Sequence, residues 1–201
     1  MTEAIFGLIG VVIGSFITWC QSYYMNRQLE IKNAKYLAIR VVCILDKFMD
    51  DCADVVNDDG LCMGQKNEQG CLEAQVSHPS APLFPDDVDW KSIDHELMYK
   101  ILSFSSDIAS ANKIIDSTWE FTGPPDFEEW FEERKFHYAK FGLHAYELAD
   151  ELCERYEIKK KTYNDWDPKA ELKRELKLVN EKREKRILRQ QSFVDKVIRK
   201  E

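Results

Sequence analysis

Six polar side chains, Glu133, His137, Lys140, His144, Glu147 and Glu151, recur at steps of three and four residues, which puts them on one face of a helix. Two imidazoles and three carboxylates in a row are a donor set for a metal ion or for acid/base chemistry. Metal-bearing helical bundles, however, take carboxylates and Glu-x-x-His pairs from several facing helices, all projecting inward. Neither histidine here has a glutamate three residues before it, and the preceding helical stretch offers only Asp94, His95 and Glu96. The row reads as a solvated face, with a metal-binding bundle enzyme kept as the weakest alternative. A second set, Cys52, Cys62, Cys71 and His78, holds four zinc-competent groups. It lacks the short Cys-x(2–4)-Cys clasp of structural zinc sites. The six cysteines, with Cys20, Cys43 and Cys153, are irregularly spaced and read as reduced thiols of a cytosolic domain. The stretch Val55–Gly60 only echoes a calcium loop, since its first position is not acidic.

Nucleophilic and nucleotide chemistry find no support. There is no Gly-x-Ser-x-Gly, no phosphate-binding loop and no glycine-rich dinucleotide fingerprint. No catalytic residue, metal ligand or cofactor is assigned. The remaining charged feature is the C-terminal stretch. Residues 168–201 carry a net charge of +6 against −14 for the rest, within an overall −8. A basic tail on an acidic body points to contact with something anionic or with the body itself. Anionic lipid is one candidate, at about 1 kcal/mol per cation near the surface. Nucleic acid is not expected, because no recognisable binding module is present and Phe193 is the tail's sole aromatic residue.

Residues 4–20, AIFGLIGVVIGSFITWC, contain no charge. Nine of these 17 residues are Ile, Leu, Val or Phe, which together favour bilayer insertion by about 3–5 kcal/mol. The run is about 25 Å long as a helix, and extension through Tyr23 and Tyr24 matches a hydrocarbon core of about 30 Å. Trp19, Tyr23 and Tyr24 form an aromatic belt at one interface, with Arg27 just beyond it. Arg27, Lys32, Lys35 and Arg40 follow the run while only Glu3 precedes it. The positive-inside rule then puts the N-terminus out and the following domain in the cytoplasm. A cleaved leader would show basic residues before the run and a small-x-small site after it; neither pattern is present. Gly10 and Gly14 form Gly-x-x-x-Gly, with Gly7 close to the same face, a pattern that lets helix backbones associate in a bilayer.

Beyond the run, Ile31, Ala34, Ala38, Val41, Leu45, Phe48, Cys52 and Val55 alternate steps of three and four, a continuous helical seam. Val42, Met49 and Val56 widen it to a bundle stripe. No Pro or Gly lies between Ser15 and Asp59, so one rod can run from the membrane into the domain. Residues 57–91, with their glycines and prolines, read as a long irregular loop suited to adaptable binding. A second helix is expected over about 92–120 and a third from Asp126, where Asp-x-x-Glu resembles a capping box, to about Ile158. Asp167-Pro168 opens a fourth, with a sparse apolar stripe that docks weakly or projects.

The blocks YLAIRVVCILDKF (36–48), DDVDWKSIDHELMYKIL (86–102) and GPPDFEEWFEERKFHYAKFGLHAYELADELCERY (123–156) resemble an uncharacterised group of bacterial single-pass membrane proteins with a helical cytoplasmic domain. The resemblance covers about residues 4–158. It implies a bacterial inner-membrane setting and no particular activity.

The combined reading is all-α: a transmembrane anchor (1–24), an antiparallel helical bundle (25–158, loop 57–91) and a basic C-terminal helix (159–201). Its expected role is a membrane-tethered interaction or adaptor protein. The expected partners are the lipid bilayer and either a protein partner or further copies of itself. The alternative role is a membrane-active effector whose glycine-bearing helices oligomerise.

Overall fold

The apolar seam that follows the charge-free run becomes one buried helical face from Ala34 onward, whereas the sparse C-terminal stripe is buried at Leu172 and Val179 and exposed at Ile187. In a computed structural model, residues 2–164 and 166–198 are described, with backbone alone for 2–12, 193, 194 and 196–198. Four helices and no strand are present among them: α1 (Thr2–Asn57), α2 (His95–Phe121), α3 (Glu128–Arg155) and α4 (Pro168–Ile198). The fold is an all-α bundle. In α1, Ala34, Ala38, Val41, Leu45, Phe48, Cys52 and Val55 are all buried, so the seam meets its partners from Ala34 onward. Burying each large aliphatic side chain contributes roughly 1.5–3 kcal/mol. Edge-on ring contacts tie three helices together, Phe48 to Phe104 at 5.5 Å and Phe104 to Phe141 at 6.0 Å between centroids.

The helix starts follow local chemistry, with one departure from the sequence reading. Asp94 caps α2, its carboxylate accepting from the amides of Glu96 (3.1 Å) and Leu97 (3.2 Å). The helix begins at His95 rather than about residue 92, and residues 90–92 form a separate 3-10 turn. Asp167 accepts from the Lys169 amide at 2.9 Å ahead of Pro168, as expected for α4. The capping box at Asp126 does not form. The Asp126 carboxylate is taken by Lys66, and Phe127 occupies the cap position at φ 46° with no side-chain capping bond. A left-handed non-glycine residue costs about 1–3 kcal/mol. Stacking of the Phe127 ring on Trp119, at 4.4 Å between centroids, compensates by holding it in place.

Helix α3 is the hub, packing on α1, α2 and α4. Side-chain pairs fix the directions. Lys35 reaches Glu157, and Gly60 lies against Phe131, so α1 and α3 are antiparallel. Asp94 pairs with Arg155 while Trp119 meets Trp130, so α2 and α3 are antiparallel too. Leu172 lies on Gly142 and Arg186 on Glu132, which makes α4 antiparallel to α3 as well. The expected alternation therefore holds around α3, but α1, α2 and α4 all run the same way. The segment between α1 and α2 makes this possible by returning along the bundle's length. It is fastened at Asp58 and Gly60 at one end, by Ser105 Oγ donating to the Pro82 carbonyl (2.8 Å) midway, and by Arg40 to Asp87 (2.8 Å) further on.

Among the described residues, no helix is long and apolar enough to cross a membrane. Most of the charge-free run, residues 4–12 with Gly7 and Gly10, lies outside the residues described beyond their backbone. That backbone is helical and continuous with the rest of α1.

Candidate functional site

The bundle has two unlike ends. At the proximal end, α1 leaves its partners. Every residue from Ile13 to Asn33 is exposed except the half-buried Cys20. Ile13, Phe16, Ile17 and Trp19 point in different directions around the axis yet each is more than half exposed. No residue of this stretch is fully buried by a bundle helix. These 21 residues extend about 32 Å at 1.5 Å per residue. Phe16, Trp19 and Tyr23 form a running stack, with centroids 6.1 and 6.0 Å apart. Tyr24 and Arg27 are likewise exposed, so Trp19, Tyr23, Tyr24 and Arg27 all lie on the exposed stretch of α1. Gly14 has no neighbouring side chain within 4 Å of a would-be Cβ, and its carbonyl accepts from Thr18 Oγ1 at 2.9 Å.

At the distal end, a buried ion pair fastens the long loop. Arg134 Nη1 donates to Asp58 Oδ2 at 2.9 Å, with side chains 0% and 1% exposed. The same carboxylate accepts from the amides of Gly60 (2.9 Å), Gln75 (2.9 Å) and Val76 (3.0 Å), and Arg134 Nη2 donates to the Val76 carbonyl. Burial pushes the Asp58 carboxyl up. The Val76 and Gly60 amides together with the Arg134 guanidinium outweigh it and hold the group below the usual carboxylate range. His78, the zinc candidate, instead packs its ring beside Tyr138 (5.4 Å) and Trp130 (6.0 Å). Next to this latch lies an open groove of about 700 Å³ whose walls include Trp119, Phe127, Trp130 and Glu73. Phe121, at the end of α2, is 85% exposed beside it.

The sequence-level donor sets do not assemble. Among the described residues, no group of three or more His, Cys, Asp or Glu is placed to hold a metal ion. The polar row on α3 is shared out between its neighbours. Glu133 binds Arg183 of α4 at 2.8 Å and lies 3.5 Å from His137, His144 packs on Phe104, and Glu151 meets Lys100 of α2 at 3.4 Å. Lys140 and Glu147 are exposed, so the row is part inter-helix contact and part solvated face. Cys52 sits in the core and Cys62 on the surface. Burial pushes the Cys52 and Cys153 thiols up, the opposite of an activated nucleophile.

Sequence reasoning missed Asp58, Arg134 and Glu132. A signal existed for the second: Arg134 falls on the apolar stripe between Phe131 and Tyr138, where an unpaired charge is not tolerated. Glu132 is 6% exposed and is bound by both Arg183 and Arg186 of α4. The basic tail therefore does touch the acidic body, as the charge asymmetry allowed. Past Arg186, Ile187 and Leu188 are again exposed, and α4 continues beyond the distal end.

The chain matches no family model, no curated protein and no solved structure.

Proposed function

We propose that the protein is a membrane-tethered interaction module. The N-terminal third of α1 lies in a bilayer, and the bundle is carried on the cytoplasmic side with its distal end presented to a partner. One observation carries this reading: a single unbroken helix buries one face from Ala34 onward, whereas its residues from Ile13 to Asn33 are exposed apart from the half-buried Cys20. A bare rod with aromatic rings at one level, Trp19, Tyr23 and Tyr24, and cations just beyond, Arg27 and Lys32, has the profile of an interfacial crossing.

The polarity of the bundle assigns the tail a role. Because α4 runs parallel to α1, its basic end emerges opposite the membrane-proximal end. This geometry favours a partner in the aqueous phase over the leaflet that holds α1. The aromatic groove at Trp119 and Trp130 opens at the same distal end. Aromatic side chains and arginine are the residue types that anchor protein interfaces. Crosslinking in intact cells followed by mass spectrometry tests the reading. A protein partner, or a second copy, attached through residues near Trp119 or Arg189 is the expected result. A chain that crosslinks to nothing at its distal end contradicts it.

A further inference from the structure

A groove of about 820 Å³ opens at the proximal end, where α1 parts from the start of α2 and the end of α3. This is the size of a small-molecule site. Its walls are one face of α1, including Tyr23, Arg27, Glu30 and Lys35, and the bundle residues Arg155 and Glu157. The charged residues Arg27, Glu30, Lys35, Arg155 and Glu157 therefore border one space. Lys35 Nζ donates to the Glu157 carbonyl at 3.2 Å. Arg155 spends one side of its guanidinium on Asp94 at 3.0 Å and keeps 46% of its side chain exposed. Neither Arg27 nor Glu30 makes an ion pair within 4.0 Å among the described residues. The groove thus holds unspent guanidinium donors, which suit phosphate oxygens through their planar fork, beside an unspent carboxylate.

Arg27 is one helical turn beyond Tyr23, whose ring stacks on Trp19. If those rings mark the interface, the groove sits at the level of the lipid phosphates; the inference rests on the tether proposed above. We propose that this groove binds the headgroup of an aminophospholipid. Arg27 and Arg155 take the phosphodiester, and Glu30 takes the headgroup ammonium. The mixed charge decides between headgroups: a purely anionic one would meet Glu30 and Glu157 unfavourably, whereas one carrying its own cation satisfies both signs. Seating a headgroup between rod and bundle would fix the angle at which the domain hangs from the membrane.

The test is retention of lipid by the full-length protein. Protein extracted in mild detergent is exchanged through lipid-free detergent, and bound phospholipid is identified by native mass spectrometry. The wild type is expected to keep about one aminophospholipid per chain, and Arg27→Gln/Arg155→Gln to lose it at least tenfold more readily. Arg27→Gln alone, on the exposed face of α1, serves as the variant that leaves the bundle's ion pairs intact. Its helical circular dichroism and melting are expected to match the wild type. Equal retention by wild type and both variants overturns the proposal. So does equal retention of phosphatidylglycerol, or displacement by millimolar inorganic phosphate, which would mark a free-anion site. Membrane sedimentation of the same variants separates this from the tether. Variants that still pellet with membranes but lose lipid uphold both, whereas a wild-type chain that never pellets removes the tether itself.

Discussion

Asp58 and Arg134 are 76 positions apart in sequence yet form the most deeply buried charge pair described. Removing one member of such a pair strands the other in a low-dielectric site, so Arg134→Met is expected to lower stability by about 3–5 kcal/mol. Denaturant titration of the purified bundle measures it; a loss under about 1 kcal/mol, the scale of a surface pair, contradicts the latch. Gly60 supports the same structure. Its φ is +75°, and an added Cβ would meet the Phe131 ring at 2.5 Å. Nearby, burial pushes the His78 imidazole below its ordinary value, and Arg134 pushes the same way against a smaller opposing pull from Asp116. His137 is depressed too, by burial first, with Glu133 opposing and Arg183 and Lys140 assisting. Both rings bind a proton less readily folded than unfolded. Below the ordinary histidine value of about 6.5 the unfolded chain therefore takes up more protons, and stability falls as pH drops from 7 toward 5. His78→Gln/His137→Gln is expected to flatten that loss in melts at pH 7 and pH 5; an unchanged slope contradicts the assignment. The depressed Asp58 carboxyl adds a separate loss that begins as pH falls through the ordinary carboxylate range and continues down to its lowered folded value.

Helix α1 is one element, exposed from Ile13 to Asn33 apart from Cys20 and packed along one face from Ala34, and the packed seam was legible in the sequence. The charge-free run and the heptad seam each have a plain period or composition, and the absence of Pro and Gly between Ser15 and Asp59 joined them. The return path of residues 58–94 was not legible. Their register depends on tertiary bonds, such as the Leu72 amide to the Pro125 carbonyl (2.9 Å), that no local pattern encodes. The start of α3 was misread for the same reason, since Lys66 from the loop captures the cap candidate Asp126. Docking of α4 was half legible: Leu172 and Val179 are buried, while Ile187, on the same sparse stripe, is exposed. The contact that seats α4 is Gly142, where an added Cβ would lie 2.7 Å from Leu172 Cδ1 and 3.0 Å from Cys52 Cβ. Gly142→Leu is expected to overpack this crossing by about 1–3 kcal/mol and release α4. Limited proteolysis reads it as faster cleavage between Arg155 and Pro168; an unchanged cleavage rate would mean α4 is held elsewhere.

Across the whole molecule, function reads as polarity along one axis. Bare apolar helix stands at one end and an aromatic groove with a basic helix at the other, separated by a packed core. The acidic body and basic tail, −14 and +6 by sequence, are partly neutralised where Arg183 and Arg186 meet Glu132 and Glu133. This contact commits α4 to the distal end. The proposed tether is the claim on which the partner and lipid readings both depend, and fractionation without detergent tests it most directly. After alkaline washing of broken cells and high-speed sedimentation, the full-length chain is expected in the membrane pellet. A chain lacking residues 1–24 is expected in the supernatant with the same helical content per residue of bundle. Recovery of the full-length chain in the supernatant would contradict the account.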